Sequence, residues 1–199
     1  MYFYQIPPAS KFFPTFKKPQ IKPSAAEFEN KKTGLKEKLV ARMATKKDLS
    51  GVSELNRKLF KDQYRFDSAM NLEWTASRDG QKYLKRRISR SDGFVEVVEN
   101  SKKDLVAYLA GAIVKRPMYR IKANYAELES IIVEPDYRGA NLGSKLLSDF
   151  ITWCRQNKIN YISLLVASQN DPAIKFYKKI GFKPYDLTMR LELSRLPKP

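Results

Sequence analysis

Apolar residues recur along this chain at two spacings, and the switches between them mark out its elements. Leu39 to Ala44 reads as a short strand. Leu49, Val52, Leu55, Leu59 and Phe60 then share one face of a helix reaching about Phe60. Thr45 and Asp48 have the spacing of a capping box at its start. A second helical region is expected from about Ser68 to Ile88, interrupted near Gly80. Phe94 to Val98 and Leu105 to Lys115 have strand character, and the polar Asn100 to Asp104 between them predicts a hairpin. Tyr125 to Val133 predicts another strand.

Further on, a helix is expected from about Leu142 to Asn157, with Leu142, Leu146, Leu147, Phe150, Ile151 and Cys154 as its core-facing stripe. Tyr161 to Ala167 is an almost unbroken apolar run, as in a parallel strand covered on both faces. A short helix follows from Pro172 to Ile180. Asp171 is placed to cap it, Pro172 suits its first turn, and Gly181 suits a left-handed end. Phe182 to Leu193 predicts a closing strand. This order describes an α/β (α+β) domain with a central mixed β-sheet flanked by helices on both faces.

Residues 1–37 break the pattern. Pro7, Pro8, Pro14, Pro19 and Pro23, with lysines between them, oppose regular helix and sheet. The stretch reads as a flexible or extended arm ahead of a domain at 38–199. Its aromatics, Tyr2, Phe3, Tyr4, Phe12, Phe13 and Phe16, give it docking capacity.

Composition removes several kinds of chemistry. The chain has no histidine, so proton transfer falls to Asp, Glu, Tyr, Lys or water, and no metal is expected. Cys154 is the only cysteine and lies in a helical stripe, which fits packing and a reducing, cytoplasmic compartment. There is no apolar run of membrane-spanning length and no secretory start, so no membrane partner is expected. The formal net charge of +17 favours anionic partners. It leaves open a binding module for nucleic acid or the ribosome as an alternative to catalysis, and a homodimer is left open as well.

Two segments carry specific chemistry. From Val133 to Leu147 a strand end, a turn of small residues and a helix start follow one another. The first turn of a helix presents unpaired N–H groups at its positive dipole end, which suits phosphate oxygens. Gly139, Ala140 and Gly143 leave little side chain in the way, and Arg138 adds positive charge. The second segment is Asn170 to Phe182.

The first segment resembles the acyl-CoA motif of the GNAT superfamily, the Gcn5-related N-acetyltransferases, which runs Arg/Gln-x-x-Gly-x-Gly/Ala. Here it reads Arg138, Gly139, Ala140, Asn141, Leu142, Gly143. Asn141 stands where the family has its first motif glycine, and asparagine is among the residues that best tolerate left-handed backbone. The second segment is similar to the downstream motif N-x-x-A-x-x-F-Y-x-K-x-G-F, with Ala173, Phe176, Tyr177, Lys179, Gly181 and Phe182 in place.

The resemblance implies a GNAT-like acyl-CoA N-acyltransferase fold with acetyl-CoA as acyl donor. Backbone groups of Ile131, Ile132 and Val133 would pair with the pantetheine arm. Amides from Arg138 through Gly139, Ala140, Asn141, Leu142 and Gly143 to Ser144 would hold the pyrophosphate. Asn170, with Pro172 and Phe176 beside it, would serve the cofactor side, and Tyr177 would protonate the leaving thiolate. Transfer would be direct, in a ternary complex, to a primary amine.

The base is less determined. Glu127 and Glu129 lie two apart on a strand and share a face. Glu129 has the position many family members use, with Glu127 or water as alternatives. For the acceptor, the family's usual pocket would fall between about Leu59 and Trp74. Phe60, Tyr64, Phe66 and Trp74 would form its walls, and Asp62, Asp67 and Glu73 would supply negative charge.

Overall fold

The computed structural model describes residues 16–29, 36–115 and 123–193. The chain divides into two units, Met1–Leu165 and Val166–Pro199. The first unit holds a six-stranded sheet in the order β1 (Ser24–Glu29), β2 (Lys36–Met43), β3 (Gly93–Glu99), β4 (Leu105–Val114), β5 (Tyr125–Val133) and β6 (Tyr161–Leu164). Every pairing is antiparallel except the last, where β6 runs parallel to β5.

Helices cover both faces. Val52 and Leu55 of α1 (Leu49–Tyr64) and Leu84 of α2 (Arg78–Ser89) pack on Val95, Val97, Tyr108, Ala110 and Ile132. Such side chains each contribute about 1.5–3 kcal/mol when fully buried. On the opposite face, Phe94 meets Phe150 and Trp153 of α3 (Leu142–Gln156). The protein is thus a mixed α/β fold with a helix-flanked sheet. Thr45 and Asp48 form the expected capping box, on a 3-10 turn that leads into α1.

One irregularity positions the site. Ala110 pairs with Ser130, but the next residue, Gly111, pairs with Leu128, so Glu129 is an extra residue in β5. This β-bulge bends the strand and resets its alternation. Gly111 sits opposite it because nothing larger fits. A Cβ there would lie 2.5 Å from Phe150 Cε2 and 2.9 Å from the Glu127 carbonyl oxygen.

Several expectations are corrected. The proline-rich stretch is not wholly irregular, since β1 lies within it and pairs with β2. The Lys17 carbonyl accepts from Trp153 Nε1 at 2.9 Å, and its N–H donates to Asn157 Oδ1 at 2.8 Å. Tyr2, Phe3, Tyr4, Phe12, Phe13, Pro7, Pro8 and Pro14 lie outside the described residues. The second helix is shorter, with a 3-10 turn at Trp74–Ala76 before it. Gly80 does not interrupt it. It lies inside α2, where a Cβ would fall 2.1 Å from the Trp74 carbonyl oxygen.

The parallel strand ends at Leu164, and alternate residues of it are exposed, Tyr161 at 50%. In the second unit α4 spans Asp171–Ile180. Asn170 rather than Asp171 caps it, accepting from the Ala173 N–H at 3.3 Å, and Gly181 ends it at φ 111°. No strand forms between Phe182 and Leu193.

Candidate functional site

The site begins where β5 loses a neighbour. Its pairing with β6 runs from Tyr125 with Tyr161 to Leu128 with Leu164 and stops there, while β5 continues to Val133. Ile131, Ile132 and Val133 pair with β4 on one side, and on the other side no described strand pairs with them. Backbone groups on such an edge seek an extended partner.

The same strand delivers the chain to the phosphate-type turn. A 3-10 turn at Pro135–Tyr137 is followed by Arg138 in extended conformation, Gly139 at φ 84°, and Asn141 at φ 59°, ψ 12°. Asn141 adopts the left-handed conformation expected of it. It stands at the head of α3 and makes no side-chain cap, so its side chain does not occupy the amides of the first turn. Lys145 is the first residue to close an α-helical bond, to the Asn141 carbonyl at 3.0 Å. The amides of Leu142, Gly143 and Ser144 precede that first bond and have no intrahelical acceptor. Arg138 differs from this group. Its N–H donates to the Pro135 carbonyl at 3.3 Å, and its guanidinium bonds the Val133 carbonyl at 3.1 Å and Asp62 at 3.4 Å. Ala140 fills the turn between the two left-handed residues.

Above the bulge the two candidate carboxylates have different surroundings. Both oxygens of Glu129 accept from Arg87 of α2, one from Nε at 2.9 Å and one from Nη2. The pair is buried, and the guanidinium also stacks over the Tyr83 ring at 4.9 Å. Both oxygens of this carboxylate are therefore engaged by one guanidinium, in a charge-assisted bidentate pair. Glu127 has no such partner among its influences. Burial pushes its pKa above the ordinary carboxylate range, the nearby Glu129 charge adds to this, and Arg87 partly opposes it.

An aromatic chain leads towards this point. Phe60 stacks on Trp74 with centroids 5.9 Å apart, and Trp74 meets Tyr83 edge-on at 5.4 Å. Sequence reasoning singled out Phe60 and Trp74 but missed Tyr83 and Arg87. Tyr64 points away and is exposed, Phe66 lies under Arg65, and Asp62 faces Arg138. An open cavity of about 580 Å³ at the start of α1, lined by Lys46, Lys47, Leu49, Ser50, Arg57 and Gln81 among others, contains none of the catalytic or cofactor-binding residues expected from sequence.

In the second unit, Tyr177 of α4 packs against Phe176 at 5.3 Å and Phe182 at 5.8 Å. Burial pushes its phenol up to about 12, so it carries its proton throughout the neutral range. Cys154 is buried, and burial likewise pushes its thiol up to about 12, which suits packing.

The family model described as "Acetyltransferase (GNAT) family" matches residues 55–182. A protein of Methanocaldococcus jannaschii described as an uncharacterized N-acetyltransferase is 30% identical over 151 residues, covering 71% of this chain and 59% of that protein. Glucosamine 6-phosphate N-acetyltransferase of Trypanosoma brucei brucei is 32% identical over 66 residues, 33% of this chain and 43% of the relative. The chain therefore spans less than two thirds of either relative. Among solved structures, the PaiA N-acetyltransferase of Thermoplasma acidophilum in complex with coenzyme A superposes with a TM-score of 0.62 at 23% identity. That match covers 75% of this chain and 92% of the other.

Proposed function

The chain belongs to the GNAT family of acetyltransferases, and on that premise we propose that it moves an acetyl group from acetyl-CoA directly to a primary amine. The observation that carries the proposal is the open β5 edge at Ile131–Val133, which leads into a helix start with free amides at Leu142, Gly143 and Ser144.

Acetyl-CoA supplies an activated acetyl thioester. The β5 edge offers the pantetheine arm a strand-like partner, and the α3 amides offer its pyrophosphate hydrogen bonds at a positive helix end. Gly139, Ala140 and Asn141 keep that approach clear. Arg138 contributes charge rather than its amide, which the Pro135 carbonyl already occupies. Asn170 shapes the start of α4 by capping it, with Pro172 in its first turn and Phe176 beside Tyr177.

A primary amine is mostly protonated at neutral pH and must lose a proton to become a nucleophile. We assign that proton to Glu127, directly or through water, because Glu129 is held by Arg87. Glu129 then acts as the anion that fixes Arg87 and raises the basicity of Glu127. Tyr177 gives its phenolic proton to the departing thiolate. A backbone N–H near Ile131 or Ile132 is the donor for the oxyanion. An acceptor screen read by release of free CoA tests the proposal. Spermidine, kanamycin and a peptide with a free N-terminus span three amine classes, and CoA release with none of a broad panel of amines counts against it.

A further inference from the structure

Three polar side chains meet beneath α1, beside the apolar cluster that α1 and α2 form on the sheet. The Asn56 amide nitrogen donates to the Tyr108 hydroxyl and to Ser130 Oγ, the latter at 3.3 Å. Asn56 is only 3% exposed and Tyr108 fully buried. The Asn56 carbonyl oxygen, Oδ1, is buried and has no hydrogen-bond partner among the described residues. An unmet buried acceptor of this kind is costly. A leucine at position 56 would continue the apolar face of α1 without that cost. Among the described residues no donor meets this oxygen.

The sheet register shows which kind of donor. Tyr108 pairs with Ile132 and Ala110 with Ser130, so these four side chains share the α1/α2 face. Ala112, two residues beyond Ala110, pairs with Glu127 and brings that carboxylate onto the same face. The bulged Glu129 reaches this face too, through Arg87 of α2. The orphan acceptor therefore stands over the bulge, beside the point where β5 parts from β6. Two carboxylates and one guanidinium thus lie on this face. Tyr108 OH and Ser130 Oγ already accept from the Asn56 NH2 group. A small, cationic group that only donates is the complement of this arrangement.

We propose that Asn56 Oδ1, held by Tyr108 and Ser130, is a binding group for the acceptor, and that the acceptor is a cationic primary amine whose N–H it receives. This rests on the acetyltransferase reading. A pantetheine arm lies in the plane of the sheet along the β5 edge, whereas Asn56 stands above the sheet on the carboxylate side. Its partner is therefore the amine and not the cofactor.

The test is calorimetric titration of CoA-saturated protein with spermidine, kanamycin and a heptapeptide carrying a free N-terminus, in the wild type, Asn56→Leu and Asn56→Asp. At least one amine is expected to bind the wild type. Asn56→Leu should weaken it about tenfold or more, the loss expected for a hydrogen bond to a charged group. Asn56→Asp, which keeps an oxygen in place, should bind at least as tightly as the wild type. Acetyl-CoA affinity should stay within about twofold in both. Amine affinity that is equal in all three proteins, or lost alike in both variants, overturns the proposal, as does a wild type that binds acetyl-CoA and none of the amines. Parallel loss of acetyl-CoA affinity would hand Oδ1 to the cofactor. A wild type that binds no acetyl-CoA defeats the acetyltransferase reading itself, and this inference with it.

Discussion

The guanidinium of Arg87, on α2, donates to both carboxylate oxygens of Glu129, the extra residue in the β5 bulge. The bond joins a helix to the point where the strand bends, across 42 positions of sequence. Removing one partner leaves a buried charge alone. Arg87→Met should therefore destabilise the fold by about 3–5 kcal/mol. The double variant Arg87→Met with Glu129→Leu should recover much of this loss. Chemical denaturation of both checks it, and a double variant no more stable than the single one would contradict it.

The division of labour between the two glutamates has a kinetic consequence. Glu127→Gln should lower kcat by about 10²–10⁴-fold, the usual contribution of a positioned acid–base group. Acetyl-CoA affinity should be unchanged, and the rising acidic limb of the pH–rate profile should disappear. Glu129→Gln should act mainly through stability and keep that limb. The reverse pattern would return the base role to Glu129.

Tyr177→Phe keeps the ring contacts with Phe176 and Phe182 and removes only the hydroxyl. Turnover should fall, most with acceptors whose acetylation makes thiolate departure limiting, while acetyl-CoA binding stays nearly constant. Steady-state kinetics with a calorimetric affinity check this, and unaltered turnover removes Tyr177 from the acid role.

On the α3 face, Glu96 is fully buried and, among the described residues, no donor meets either of its oxygens. Burial, with the Asp149 charge beside it, pushes its carboxyl up to about 8, while Lys145 partly opposes this. The protonated form supplies the O–H that Asp149 can accept. The folded protein then holds this proton more tightly than the unfolded chain. Stability from this group is full below the ordinary carboxylate range and falls as pH rises towards about 8. Glu96→Gln should remove that slope and raise the melting temperature at pH 8–9. Parallel melting curves for variant and wild type from pH 5 to pH 9 would contradict it.

The fold was legible in the sequence wherever periodicity had a physical counterpart. Strand β5 and the start of α3 fall where alternation and helical spacing put them, and Asn141 takes the left-handed backbone its side chain tolerates. What was missed depends on the third dimension. Period-two counting puts Glu127 and Glu129 on one face, but the bulge then adds Ser130 and Ile132 to it, which no count reveals. Arg87 reads as one of several charges on a basic helix until α2 is laid on β5. Gly80 looks like a helix breaker, yet it marks a close approach by the Trp74 carbonyl. Trp153, fully buried between Phe94 and Phe150, escaped the expected stripe of α3. From Phe182 to Leu193 a closing strand was expected, but a strand needs a partner ladder, and none forms among the described residues.

The central claim is that the open β5 edge and the first turn of α3 together hold acetyl-CoA. Isothermal titration of the full chain with acetyl-CoA tests it most directly, with Gly143→Glu as the control that puts a carboxylate into the proposed pyrophosphate position. The account predicts one site per chain, a melting temperature that rises with ligand, and affinity lost in the control. No heat and no thermal shift at millimolar acetyl-CoA, or equal binding by Gly143→Glu, would contradict it.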